Sequence, residues 1–335
     1  MTCRMGPKMS RHEIPELTER GGIQTVCPGT PDDLFVVSAS YEDRCRVAAG
    51  MLASDFSAKK GIIYYNKENA NDKTRAHIHE LNGILMERCD TFALIEGSWL
   101  HPLDQITCLR KDLPHREPKA HMRATTIDIT AFTRESLLTI TLLLRTRFPE
   151  MRIRVIYVSP KRHGDWLSRG FRCVRNVIGF PGIQEPSRPN LLIVLSGFEP
   201  KRTAKIIEEH EPTKVLLGIG CPPVSQHFMQ RNIEEQKFIL AMQEVERFDF
   251  PADSIQSCFE CLQQVIRPYS GTHNIVLAPM STKLSTLAAF LLAEENIGIQ
   301  ITYCVPGEYN MDDYSSGAKL VFIDHLTPVN KDTSS

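Results

Sequence analysis

The sequence predicts an α/β protein of two tandem lobes, each with a mostly parallel sheet, related to one another by internal duplication. Three observations carry that reading. Strand-type and helix-type segments alternate along most of the chain, which implies parallel strands joined by crossover helices. The length, 335 residues, exceeds what one core ordinarily serves and suits two domains of roughly 150 residues each. The second half then repeats the strand-loop-helix signatures of the first half in the same order.

Residues 1–30 are rich in Thr, Arg, Pro and Gly without an apolar period and read as an irregular tail. The first lobe is expected over 31–175. It opens with Leu34-Phe-Val-Val37, an uninterrupted run of β-favouring residues as expected for a strand buried on both faces. That strand ends in Ser38-Ala-Ser40-Tyr41-Glu42-Asp43-Arg44, and a helix through Val47, Met51 and Leu52 is predicted next. A strand over 61–65, a polar helix at about 72–87 and a strand over 92–95 follow. Thr126-Ile-Asp128-Ile-Thr130 reads as a strand running into a polar turn, with a helix over 134–147 and a strand over 153–160 behind it.

A connector rich in Pro and Gly, near 175–190, separates the second lobe, expected over 190–327. Leu191-Leu-Ile-Val-Leu195 leads into Ser196-Gly197-Phe198-Glu199, which aligns with the first copy at an offset of 157 residues. A helix with Ile206 and Ile207 and a strand over 214–217 come next. Asn274-Ile-Val-Leu-Ala278 runs into Pro279-Met-Ser281-Thr282-Lys283-Leu-Ser285, a helix through Leu287, Phe290 and Leu291, and a strand over 299–306. The turn Thr133-Arg134-Glu135-Ser136 thus recurs as Thr282-Lys283-Leu284-Ser285, and Tyr157 to Pro160 recurs as Tyr303 to Pro306.

In open parallel sheets ligands bind beyond the carboxyl ends of strands, where loops enter helix N-termini. The repeated signatures fall there. Ser38, Ser40, Gly197 and the two hydroxyl-basic turns (Thr130, Thr133, Arg134, Ser136; Ser281, Thr282, Lys283, Ser285) would offer hydroxyls, backbone donors and one cation each, a set suited to phosphate. Helix capping by Ser and Thr explains any one copy equally well, but capping does not call for the same basic residue twice. Glu42 and Glu199 are candidates for ribose recognition, for pairing with Arg44 or Arg202, or for acid/base chemistry, against a plain role at the positive end of a helix. Asp128 faces no acid at the aligned Leu277–Pro279, so it is the carboxylate one lobe has and the other lacks.

Several classes are excluded by what the sequence lacks. The formal charge of −1 gives no global field toward DNA or an anionic membrane. The longest apolar runs are broken well short of the ~18 residues a spanning helix needs, so no membrane partner is expected and a cytoplasmic location is. Cys258-Phe-Glu-Cys261 is a lone CxxC, and His77 and His79 point to different faces of a helix, so no metal is expected. Gly218-Ile-Gly220 lacks the third glycine of a dinucleotide fingerprint, no other nucleotide, hydrolase or zinc-protease motif occurs, and no cofactor is implied. The one dense basic stretch, 110–123, reads as a solvated loop, with a lid or a nucleic-acid contact as its functional alternatives.

Asp128-Ile-Thr130-Ala-Phe-Thr133-Arg134-Glu135-Ser136 resembles the CARF family, Rossmann-like sensors in which an Asp-x-Thr stretch leads into an [Arg/Lys]-x-Ser turn. Lys283-Leu-Ser285 is similar to the same turn in a second copy, so the chain as a whole resembles the paired CARF-like units of SAVED domains, which bind cyclic nucleotides in anti-phage signalling. The resemblance implies two Rossmann-like lobes, a nucleotide-type ligand, a role in prokaryotic defence and a separate effector protein. Three functions follow as expectations: a nucleotide sensor; an enzyme acting on a nucleotide or nucleic acid by phosphodiesterase, nucleosidase or phosphoribosyl chemistry; or a scaffold whose pockets bind nothing.

Overall fold

In a computed structural model the described residues are 12–13, 31–113, 122–221 and 226–326. Along the chain run β1 (His12–Glu13), β2 (Asp32–Ser38), α1 (Val47–Gly50), β3 (Ala58–Asn66), α2 (Asp72–Arg88), β4 (Cys89–Gly97), α3 (Pro102–Asp112), β5 (Ala124–Asp128), α4 (Arg134–Arg147) and β6 (Arg152–His163). There follow β7 (Ser168–Pro181), β8 (Asn190–Leu195), α5 (Pro200–His210), β9 (Lys214–Gly220), α6 (Gln226–Glu235), α7 (Lys237–Leu240) and β10 (Val245–Phe250). The chain closes with α8 (Ile255–Ile266), β11 (Asn274–Pro279), α9 (Lys283–Glu295), β12 (Gln300–Tyr309) and β13 (Ser315–Leu326). The fold is α/β, with two Rossmann-like lobes and mostly parallel sheets.

The first lobe takes its described residues from His12–Leu167 and Tyr309–Ser335. Its sheet runs β1-β13-β6-β5-β2-β3-β4. Strands β4, β3, β2, β5 and β6 are parallel neighbours, and β13 closes the sheet antiparallel to β6. Leu34, Phe35, Val36 and Val37 are wholly buried because helices cover both faces of a central parallel strand. On one face Phe35 and Val37 pack with Ala48, Ala49, Leu81 and Leu85, the burial of Phe35, Val37, Leu81 and Leu85 contributing roughly 1.5–3 kcal/mol each.

The second lobe comes from Ser168–Glu308. Its sheet runs β10-β9-β8-β11-β12-β7. Pairing is parallel from β10 through to β12. Along β7 the partners on β12 rise as the β7 numbers fall: the Arg175 carbonyl accepts from Thr302 Oγ1, and Gly182 lies against Gln300. β7 is therefore antiparallel to β12. Helix α9 is buried almost all round, from Leu284 to Ala293, as suits its apolar composition.

The lobe boundaries differ from those the connector suggested. The stretch Gly179-Phe-Pro-Gly182 is not a linker, since β7 already belongs to the second sheet, and β13 returns to the first sheet instead of extending the second lobe to 327. In each lobe the antiparallel strand satisfies the open edge of β6 or β12, a demand that local composition does not reveal. The helix expected through Val47, Met51 and Leu52 shrinks to a 3₁₀ turn over Asp43–Arg46 and the single turn α1. Gly50 weakens it, and one turn is too short to sustain itself without packing. Arg110 and Lys111 stand in the last turn of α3, not in a loop, and Arg123 N donates to Asp33 Oδ2 at 2.5 Å. The rest of that basic stretch, from Pro114 to His121, and the tail apart from β1 lie outside the described residues.

Candidate functional site

In each lobe the chain moves outward from a central strand and then restarts on its other side. The order reverses between β2 and β5 in the first lobe and between β8 and β11 in the second. Such a reversal leaves a crevice at the carboxyl ends of the two strands, where open parallel sheets bind ligands. The loops leaving β2 and β5 carry Ser38, Ser40, Asp128, Thr130 and the start of α4; those leaving β8 and β11 carry Gly197, Ser281 and the start of α9. Within each lobe the repeated signatures therefore sit together at one place.

The hydroxyls there are engaged with the protein. Thr133 caps α4, accepting from Ser136 N at 3.2 Å, and Thr282 caps α9, accepting from Ser285 N at 3.1 Å. Thr130 Oγ1 accepts from Val158 N at 3.0 Å, and Ser40 Oγ from Glu42 N at 3.3 Å. Ser38 is buried at the end of β2, Arg134 is buried in the first turn of α4, and Ser281 and Lys283 are half-buried beside α9. Gly197 permits a close approach: a β-carbon there would stand 2.5 Å from the Met280 carbonyl oxygen.

Glu42 and Glu199 are each committed to a buried latch. Arg44 Nη2 lies 2.5 Å from Glu42 Oε2, its Nη1 donates to the Val158 carbonyl, and Ser315 Oγ donates to the same Glu42 oxygen at 2.5 Å. In the second lobe Arg202 Nη1 lies 2.7 Å from Glu199 Oε2, its Nε donates to the Cys304 carbonyl at 3.0 Å, and Ser168 Oγ donates to Glu199. Each serine comes from the antiparallel strand, β13 or β7, so the latch ties that strand to the first loop of its own lobe. The repeated tyrosines attend it: the carbonyl that Arg44 takes, that of Val158, follows Tyr157, and the Arg202 guanidinium sits 5.3 Å from the Tyr303 ring centre.

Asp128 differs from both glutamates. Oδ1 accepts from Thr130 N at 3.0 Å, while Oδ2 is buried with no partner among the described residues. Burial pushes its pKa from the usual carboxylate range up to about 7, against the hydrogen bonds from Thr130 and the nearby Arg44, which lower it. It is thereby poised to gain or lose a proton near neutrality.

Several neighbours were not singled out from the sequence. Ser136 Oγ lies 3.1 Å from the Tyr64 hydroxyl and donates to Gln105 Oε1 at 3.2 Å. Tyr64 in turn stacks on Phe132, with ring centres 5.3 Å apart. In the second lobe Asn232 Nδ2 donates to the Ser196 carbonyl at 3.2 Å, and Gln236 Nε2 to the Gly197 carbonyl at 2.8 Å. The available signal for Gln105 was Pro102 opening a helix with Gln105, Leu109 and Leu113 on one buried face. His77 holds the Ser40 carbonyl at 2.7 Å through Nδ1, and Cys258 and Cys261 lie buried one turn apart on α8.

No family model matches the chain, and no curated protein matches its sequence. A solved structure of a functionally unknown protein from Pseudomonas aeruginosa PAO1 is similar over 82% of this chain and 93% of its own, at 12% identity and a TM-score of 0.25. Among the described residues no helix is long and apolar enough to cross a membrane.

Proposed function

We propose that this chain is a sensor module that binds a nucleotide-type ligand, a cyclic nucleotide first among them, at the strand-order reversals of its lobes, and that it serves prokaryotic defence through a separate effector protein. The supporting observation is that a Thr-[Arg/Lys]-x-Ser helix start stands at the reversal in both lobes, with a buried or half-buried cation at the first helical position. A cation at the positive end of a helix is unfavourable for the helix itself, so its repetition favours an anion as its partner. We further infer that the lobes descend from one duplicated unit, since the Glu-Arg-Ser latch, down to a carbonyl one residue beyond a tyrosine, recurs in both.

Calorimetric titration of the full chain with cyclic dinucleotides tests the first reading. Arg134→Ala combined with Lys283→Ala is expected to weaken binding at least about tenfold, the scale of one lost charged hydrogen bond. Unchanged affinity would sink it. The second reading, turnover of a nucleotide, is favoured by Asp128, an acid able to exchange a proton near neutral pH. Incubation with NAD, ATP and cyclic dinucleotides followed by mass analysis separates the two, because a sensor returns its ligand intact.

A further inference from the structure

A chain of hydrogen bonds runs through the first lobe from the end of β5 to the start of β13. Thr130 N donates to Asp128 Oδ1 at 3.0 Å, and Val158 N donates to Thr130 Oγ1 at 3.0 Å. The carbonyl of the same Val158 accepts from Arg44 Nη1. Arg44 Nε donates to Ser315 Oγ at 3.1 Å, and Ser315 Oγ donates to Glu42 Oε2 at 2.5 Å. Ser315 is the first residue of β13. The strand that closes the sheet against β6 is thus held at its start by a latch that shares Val158 with the turn carrying Asp128.

Asp128 is buried, and its Oδ2 has no partner among the described residues. Arg44 and Cys45 stand near enough to feel its charge, and Arg44 is held by Glu42. One step further out are Tyr157 on β6, Arg134 on α4, Tyr314 before β13 and, against the Ser40 carbonyl, His77 on α2. Burial pushes the Cys45 thiol up to about 12 and raises the Tyr157 phenol above its ordinary 10, so neither ionises near neutrality. While Asp128 is protonated, Glu42 and Arg44 cancel and the trio is neutral. Ionised, it leaves two buried carboxylates to one guanidinium, and an uncompensated charge in such surroundings is costly. Burial accordingly lifts its pKa from 3.8 to about 7.

The second lobe supplies an internal control. Its latch is built alike, with Arg202 Nε donating to the Cys304 carbonyl at 3.0 Å and Ser168 at the start of β7 donating to Glu199. Where the first lobe has Asp128, however, this one has Leu277-Ala278-Pro279, all buried and none ionisable. The Cys304 thiol beside Arg202 is raised above its ordinary 9.0 by burial.

We propose that Asp128 is a proton-operated release for β13: while it holds its proton the latch stays closed, and its ionisation draws on Arg44 and frees the Ser315 end of the strand. The latch of the second lobe, which has no such acid, does not respond to pH. The device needs no ligand and stands apart from the nucleotide reading. Release lets Asp128 reach water and lose the proton it keeps in the closed state. The released population therefore rises with pH between the ordinary value of 3.8 and about 7, by up to about tenfold per pH unit, and levels off above.

The test is hydrogen exchange of the full chain at pH 5 and pH 7, read by mass spectrometry and corrected for the intrinsic pH dependence of exchange. Over Ser315–Lys319 the corrected rate is expected to rise at least about tenfold between the two. No such rise is expected over Ser168–Arg172 of β7. Asp128→Asn, which cannot ionise, should keep Ser315–Lys319 slow at both pH values, and Ser315→Ala, which takes the strand out of the latch, should make it fast at both. Amides of β5, at the centre of the sheet, report unfolding of the whole lobe, which carries the same proton linkage. Release is therefore read from Ser315–Lys319 exchanging faster than β5. Exchange no faster than β5, a flat profile, an equal rise in β7, or a slow Ser315→Ala would each overturn the proposal. So would a rise that survives Asp128→Asn, which would hand the switch to another group.

Discussion

The two lobes share one buried latch and differ at the place where their strand order reverses. Arg44 and Arg202 each join a glutamate, a serine of the antiparallel strand and a backbone carbonyl. At the reversal, however, the first lobe has Asp128 with one unpaired carboxylate oxygen, whereas the second has Leu277-Ala278-Pro279, all buried. The second lobe also fills its first loop from within, where Asn232 and Gln236 take the carbonyls of Ser196 and Gly197. The latch fixes the geometry of a strand joined only by long-range pairing, so both lobes need it. The titratable group is not needed for folding, and one lobe does without it.

The largest effect expected is from breaking a latch. Arg44→Ala or Arg202→Ala leaves a buried glutamate uncompensated, which costs about 3–5 kcal/mol. Both tryptophans, Trp99 and Trp166, lie in the first lobe, so tryptophan fluorescence reports that lobe while far-ultraviolet circular dichroism reports both. In urea, Arg44→Ala should move the fluorescence transition, and Arg202→Ala should move the dichroism transition more than the fluorescence one. Equal movement of both signals by Arg202→Ala would mean that the lobes unfold as one unit and that the comparison concerns local chemistry alone.

How much of this could be read from the sequence follows from how local each cause is. The central strands β2, β8 and β11 declare themselves as unbroken apolar runs, and α4 matches its expected span because Thr133 caps it and an apolar stripe follows. The exchange of β7 and β13 between sheets was invisible, because a strand's partner is chosen by edges far away in sequence. Of the predicted site residues, Asp128 was found through its missing counterpart. Glu42 and Glu199 were found as a pair, but their partners Ser315 and Ser168 depend on that same exchange. Asn232 lies on α6 and Gln236 is the N-cap of α7, and nothing short of the packed structure separates such a buried amide from a solvated one; for Gln105 the register with Leu109 and Leu113 was the one hint.

A smaller effect, on the order of a few kcal/mol, is expected from pH acting on Asp128. Its carboxyl holds a proton in the folded state up to about pH 7, whereas unfolded it ionises near its ordinary value of 3.8. The folded state therefore binds more protons between those values, and stability falls as pH rises from about 4 to about 7, then levels off. Asp128→Asn, which cannot ionise, removes this dependence. Urea midpoints at pH 5 and pH 8 should fall apart for the unaltered protein by more than for the variant, with fluorescence as the signal. Equal spacing would show that the oxygen without a partner finds one in solution, and the contrast between the reversal points would lose its sharpest term.

The smallest effects separate capping from binding at the repeated turns. Thr133→Ala and Thr282→Ala each remove an N-cap, worth about 1 kcal/mol. Thr282→Ala should cost more, because Thr282 Oγ1 also donates to the Ala252 carbonyl at 2.7 Å, while Thr133 Oγ1 donates to Ser136 Oγ, which has other partners. Serine in place of either threonine keeps the oxygen and should restore most of the loss. If the alanine variants weaken nucleotide binding in proportion to their lost stability, the hydroxyls serve only the helices, and recognition falls to the cations beside them. A loss of binding at Thr133 larger than its loss of stability, with none at Thr282, would place the ligand on the lobe that carries Asp128.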